Sequence, residues 1–202
     1  MMPQIDYVYA LVSGFAYLGE PELRRIAKAC GATIRYMPVD IARVFAAVDT
    51  VAPARQSPAR RVWRDAELAR WARVRGLPIT VVPKYWPVPA ALASRTVIAV
   101  QELGGDPGAL SMRLLRAVWV DDLDISDAET VGRLVAEVEP EAAGKILERA
   151  AGDDCGEILE ANTREAIERG VIGSPTYFAE GEMLFGQDHL GFLAAKLGVP
   201  VA

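Results

Sequence analysis

Cysteine, histidine and clustered basic charge are all scarce in this chain, and each scarcity closes off a class of function. Only Cys30 and Cys155 occur among 202 residues, far apart, with no C-x-x-C and no paired Cys/His spacing. That pattern leaves neither a disulfide framework nor a structural zinc site, so no bound metal is expected. A single histidine, His189, argues against a His-based catalytic triad elsewhere. Lys and Arg number 22 against 27 Asp and Glu, a net charge of −5, with the arginines spread through helical stretches. Nucleic-acid binding would want a basic face instead. No apolar run is long enough to span a membrane. The start, Met1-Met2-Pro3-Gln4-Ile5-Asp6, lacks the basic and then apolar regions of a secretory leader. The expectation is a soluble, cytoplasmic protein. Its 51% hydrophobic content suffices for one globular unit or two lobes sharing a core.

The first segment reads as a strand over about 5–10, a helix over about 15–30 and a strand over 33–37. Ile5-Asp6-Tyr7-Val8-Tyr9 is rich in β-branched and aromatic residues, and Gly31 suits a helix stop. A β-α-β opening of this kind implies a parallel pair. The last segment differs. A helix over 157–169 precedes two short strands, 175–178 and 183–185, joined at Glu180-Gly181, and a final helix over about 187–197. The order β-α-β, then α-β-β-α, predicts an α/β thioredoxin-like fold, assigned to residues 1–40 and 156–202.

Between the halves, residues 41–155 read as a large all-helical insertion after the second strand. Helices are expected over 61–75, 90–103, 107–119, 127–138 and 140–151, with Asp127 and Pro140 as starts and Gly76 and Gly104-Gly105 as stops. Two stretches read as ordered loops: 50–58, and Pro83-Lys84-Tyr85-Trp86-Pro87-Val88-Pro89. Three prolines in seven residues hold the second loop to extended or turn geometry. Its aromatics could line a pocket between the lobes, where ligand sites tend to sit.

Ser13 carries the chemistry. It stands between the first strand and the first helix, where a thioredoxin-like domain presents the first thiol of its C-x-x-C. The four positions here are Ser13-Gly14-Phe15-Ala16, without sulfur. Unpaired N–H groups and the positive dipole end of a helix favour an anion there. The site can hold a thiolate, though not one of its own, which suggests a thiol cofactor such as glutathione. Serine is also a common N-cap. Gly173-Ser174-Pro175-Thr176 stands where such folds place a cis-proline loop, so a cis Ser174–Pro175 bond is expected, with the Ser174 backbone free to pair with an extended peptide. Asp188, at the start of the last helix, either caps it or holds the amino group of a glutamyl end. For an aromatic acid, Lys84 offers a cation, and Tyr85, Trp86 and Trp119 offer flat apolar walls.

Several segments together resemble the 2-hydroxychromene-2-carboxylate isomerases, relatives of the kappa-class glutathione transferases and of DsbA-like thioredoxins. They run from Asp6-Tyr7-Val8-Tyr9 and Ser13-Gly14-Phe15-Ala16-Tyr17-Leu18 to Thr33-Ile34-Arg35-Tyr36-Met37-Pro38-Val39-Asp40. Arg70-Trp71-Ala72, Gly76-Leu77-Pro78 and Ala117-Val118-Trp119 follow, then Gly173-Ser174-Pro175-Thr176-Tyr177-Phe178 and Gly186-Gln187-Asp188-His189-Leu190. The resemblance implies a homodimer that binds glutathione and acts on a small aromatic carboxylate. It makes Ser13 catalytic, holding the glutathione sulfur, with Thr50, Ser174, Pro175, Gln187 and Asp188 as cofactor contacts. Three positions depart from the family pattern: Gly14 replaces a proline, Ser174 a small apolar residue, and the loop at Val48-Asp49-Thr50-Val51 lacks the usual asparagine.

The expected chemistry follows from the thiol. A free thiol has a pKa near about 8.5. A charge-assisted bond from a hydroxyl contributes about 1.5–3 kcal/mol, and a helix N-terminus about 0.3–1 kcal/mol. Together they would lower the bound thiol by roughly one to three units. The thiolate would add to a conjugated carbon, permit rotation and then leave, so that Ser13 is a donor and not a nucleophile. A kappa-like transferase that releases the adduct, or a non-redox thioredoxin-like peptide binder, are the alternatives. Disulfide exchange is excluded, because Ser13 and Ala16 carry no sulfur.

Overall fold

The computed structural model describes residues 2–200. Alternating apolar residues produce β1 (Gln4–Tyr9), whose Gly14–Cys30 successor, α1, returns the chain to β2 (Thr33–Pro38). Ser13 caps the start of α1, and Gly31 ends it at φ 67°. The two strands pair in parallel, as a helical crossover requires.

Helices follow in an unbroken series: α2 (Ile41–Ala47), α3 (Pro58–Arg75), α4 (Ala91–Glu102), α5 (Pro107–Trp119), α6 (Ala128–Val138), α7 (Ala143–Ala151) and α8 (Asp153–Glu168). The chain then forms β3 (Thr176–Ala179) and β4 (Glu182–Phe185), a short 3-10 turn Gln187–His189, and α9 (Leu190–Lys196). Glu180 and Gly181 both have positive φ, 49° and 78°, as a two-residue hairpin needs. The sheet order is β2-β1-β3-β4, with β3 antiparallel to both neighbours. This is a thioredoxin-like fold with its helical insertion after the second strand.

Five details differ from what the sequence predicts, the fifth at the last helix, where residues 187–189 form a 3-10 turn and α9 starts only at Leu190. Residues 41–47 form a helix that spacing did not single out; Asp40 caps it and Val44 is its one buried residue. The 50–58 loop contains a 3-10 turn, Pro53–Arg55. Pro140 precedes α7 instead of starting it, because the turn bond from the Ala142 amide to the Glu139 carbonyl places the helix start at Ala143. Helix α8 begins four residues before 157, its first turn carrying Asp153 and Asp154, which suit the positive dipole end.

Strand register puts Tyr7 directly opposite both Tyr36 and Tyr177 on one sheet face. The Tyr7 and Tyr9 rings stack at 4.2 Å, and Tyr7 and Tyr177 at 5.4 Å. This face joins Leu18 and Leu23 of α1, Val97 of α4 and Leu114 of α5 in one continuous core, so the sheet and the helical insertion share their hydrophobic interior. Val8 and Met37 on the opposite face pack with Val44 of α2 and Ala166 of α8. Among the described residues, no helix is long and apolar enough to cross a membrane.

Candidate active site

A cavity of about 1610 Å³ opens between the end of β1, α3, the 86–91 segment and the cis-proline loop. Its size exceeds the roughly 300–1,000 Å³ of ordinary ligand clefts and leaves room for two ligands together. Ser13, Thr50, Trp86, Ser174, Gln187 and Asp188 all reach its wall.

Ser13 is fixed from both sides. The amide N–H of Ala16 donates to its Oγ at 3.2 Å, which makes it the N-cap of α1, and its hydroxyl donates to the Ser174 carbonyl at 3.1 Å. Ser174 is locked in turn, because the Ala10 amide N–H donates to the Ser174 Oγ at 2.9 Å. A small apolar residue at 174 could not accept that bond, which gives this departure from the family pattern a local role. The Ser174–Pro175 bond is cis, as expected; Trp86–Pro87 is also cis. Pro175 is buried outside the cavity wall, and its carbonyl accepts from the Gly186 amide at 2.8 Å.

Gly14 has a packing role. A Cβ added there would lie 2.8 Å from Leu68 Cδ2 and 3.1 Å from Trp119 Cζ2. The bare backbone lets Leu68 of α3 and Trp119 of α5 close directly under the first turn of α1. Trp119 is fully buried and absent from the cavity wall, so its expected role as a substrate contact is corrected to that of a support. It lies under Trp86, ring centres 5.8 Å apart. The Trp86 indole N–H donates to the Val12 carbonyl at 2.9 Å, pinning that ring beside Ser13.

Lys84 and Tyr85 also need correction. Both are exposed and neither belongs to the cavity wall. The Lys84 amide N–H donates to the Asp122 carboxylate at 3.0 Å, and Lys84 Nζ sits over the Tyr85 ring at 4.7 Å, so the pair is spent on the outer side of the loop. The cavity's buried cation is Arg64, only 8% exposed. Its guanidinium lies 4.5 Å from the Trp86 ring centre and 5.4 Å from that of Trp119. Among the described residues its ion-pair partner is Asp65, at 3.6 Å. Burial lowers its pKa, yet an arginine stays charged at neutral pH. Sequence held a signal for it: Arg64, Leu68 and Ala72 recur every four residues on the buried stripe of α3, a cation where an apolar residue belongs.

Asp188 is exposed in the wall, inside the 3-10 turn, and makes no capping bond. Its expected alternative role as a helix cap is thereby corrected. Gln187 is 1% exposed, with Oε1 accepting from Arg75 Nε at 3.2 Å and Nη2 at 3.1 Å. That bonding commits the side-chain oxygen to the protein. Thr50 stands in the wall on a segment tied back by its amide to the Phe45 carbonyl.

The profile of the DSBA-like thioredoxin domain covers residues 4–198. The chain is 30% identical over 197 residues to a 2-hydroxychromene-2-carboxylate isomerase of Pseudomonas putida, covering 96% of this chain and 94% of the relative. It is 28% identical over 201 residues to the isomerase of that name from Sphingobium xenophagum, covering 98% and 99%. A solved 2-hydroxychromene-2-carboxylate isomerase superimposes with a TM-score of 0.80 at 28% identity, over 96% of this chain and 94% of the other.

Proposed function

Because the chain belongs to the DsbA-like thioredoxin-domain family and groups there with 2-hydroxychromene-2-carboxylate isomerases, an enzyme of the isomerase kind, we propose that it isomerises a chromene carboxylate with glutathione as cofactor. The observation that carries this reading is the Ser13 hydroxyl, set at a helix N-terminus in the wall of a cavity large enough for cofactor and substrate.

The residues present fit glutathione. Neither position 13 nor position 16 offers a sulfur that would compete with an external thiol. Ser13, Ser174 and Asp188 reach one continuous wall, offering a hydroxyl donor, a backbone carbonyl and an exposed carboxylate. These would serve the sulfur, the cysteinyl N–H and the glutamyl amino group respectively. Thr50 belongs to the same wall. Bound glutathione supplies a thiolate that adds reversibly to a conjugated carbon, so that a former double bond can rotate.

Ser13 has one proton to give, and in the free chain it rests on the Ser174 carbonyl. Turning that proton toward an anion leaves the carbonyl open to accept a peptide N–H. The two changes compensate, so the hydroxyl is held ready without being buried unpaired. Arg64 meets the substrate carboxylate, its charge little screened in the buried wall, while the Trp86 ring supplies the flat apolar surface. A cytoplasmic homodimer is part of the same proposal and is supported by the family resemblance.

Calorimetric titration with glutathione and with S-methylglutathione tests the thiol site. Tighter binding of the free thiol, with proton release on binding, supports it; equal affinity and no proton release contradict it.

A further inference from the structure

Helix α4 begins in the cavity wall without a cap. Ala90 precedes it and gives no side-chain bond to the first turn, whereas Ser13, Asp40, Ser57, Asp106 and Asp127 cap five other helices. Ala90 and Ala91 both reach the cavity. Unpaired N–H groups and the positive dipole end therefore face its interior.

Two side chains one turn further in give this helix end a ligand's requirements. Ser94 is 2% exposed and stands in the same wall, and its hydroxyl has no hydrogen-bond partner among the described residues. Helical side chains lean toward the N-terminus, which aims that hydroxyl at the uncapped turn. Arg95 reaches the wall beside it and forms no ion pair among the described residues. Its Nε is buried without a partner. Gly156 of α8 makes room for it, since a Cβ there would lie 2.8 Å from Arg95 Nη2. Asp153 and Glu157 of α8 reach this wall too, against Arg95 and Arg164, while Glu160 is bound by Arg43. That balance of charge suits a single carboxylate and disfavours a multiply charged phosphate.

We propose that the first turn of α4, the Ser94 hydroxyl and the Arg95 guanidinium form a carboxylate-binding subsite, additional to Arg64. Two sources share this chemistry: the glycyl end of glutathione, and a second acidic group on an aromatic substrate, beside the carboxylate that Arg64 meets. The first source rests on the glutathione reading above; the second does not.

The test is titration of the wild type, Arg95→Met, Arg95→Lys and Ser94→Ala with four probes, alongside melting curves. The probes are glutathione, its glycyl ethyl ester, naphthoate and methyl naphthoate. If the glycyl carboxylate occupies the subsite, Arg95→Met weakens glutathione about tenfold or more, Arg95→Lys recovers part of the loss, and the ester binds all four proteins alike. If an aromatic acid occupies it, naphthoate weakens by the same factor when Arg95→Met is made in an Arg64→Met background, where its single carboxylate has no rival cation, methyl naphthoate does not, and glutathione is unaffected. Ser94→Ala reduces the same probe severalfold, with the fold undisturbed. Unchanged affinity for glutathione in Arg95→Met and Ser94→Ala, and for naphthoate when the same changes are made in the Arg64→Met background, overturns the subsite. Absence of glutathione binding in the wild type overturns the thiol reading instead, and the naphthoate pair then decides the subsite alone.

Discussion

The hydroxyl of Ser13 donates to the carbonyl oxygen of Ser174, 3.1 Å away, both residues lining the cavity. This bond ties the first turn of α1 to the cis-proline loop and holds the hydroxyl that the proposed chemistry uses as a donor. In a redox thioredoxin the same two segments hold a disulfide-forming thiol; here they hold a hydroxyl that can serve a thiol brought from outside.

Replacing Ser13 by Ala should cut isomerisation at least tenfold, through loss of one charge-assisted donor. The same change removes the cap of α1, so a stability loss of about 1 kcal/mol is expected as well. Steady-state rates at a temperature far below the melting point separate the two effects. Wild-type turnover in the folded variant would remove Ser13 from the mechanism.

Arg64→Met should raise KM for a carboxylate substrate about tenfold or more, with little change in glutathione affinity. Lys84→Met should change neither, since Lys84 faces away from the cavity wall. The reverse pattern in a kinetic comparison of the two variants would return the carboxylate to Lys84.

Gly14→Ala should destabilise the fold by about 1–3 kcal/mol, the range for overpacking, because the new Cβ meets Leu68 and Trp119. Adding Leu68→Ala should not restore full stability, as the Trp119 contact persists. Thermal melting of the single and double variants checks this; an unchanged melting temperature in Gly14→Ala would show that the neighbours give way freely.

Glu20 predicts a pH dependence of stability. It is fully buried on α1, and burial raises its carboxyl to about 7, against the bond from the Tyr36 hydroxyl and the nearby Arg24 charge, which pull it down. Tyr7 from β1 and Asp106 at the start of α5 also face it. The folded state thus holds the proton more tightly than the unfolded chain. Its contribution is fully present below about 4.5 and is lost as pH rises through about 7. Glu20→Gln keeps an acceptor for Tyr36 and should flatten that loss, melting above the wild type at alkaline pH. Parallel wild-type and variant curves across this range would contradict the assignment.

Much of this arrangement was legible in the sequence, where local pattern and tertiary role agree. The strand of Tyr7 and Tyr9, the α1 start at Ser13 and the α5 span all carry periods matching the faces they bury. Helix α2 is hard to read from sequence because it buries only Val44, leaving almost no apolar stripe; its one clear signal is the Asp40 cap. The proline-framed loop is legible, but prolines restrict backbone angles without saying which side chain turns inward. Trp86 faces the cavity while Lys84 and Tyr85 do not. Arg64 carries only the weak signal of its place on the stripe with Leu68 and Ala72, because a lone arginine on a helix usually faces water; its packing against two indoles shows the charge to be buried.

The most direct test of the central claim is the isomerisation of 2-hydroxychromene-2-carboxylate followed spectrally with and without glutathione, with total thiol assayed before and after. Turnover that requires glutathione and returns it undiminished over many cycles is the predicted result. Full turnover in its absence, or consumption of one glutathione per substrate, would contradict a glutathione-dependent isomerase, the latter in favour of a transferase.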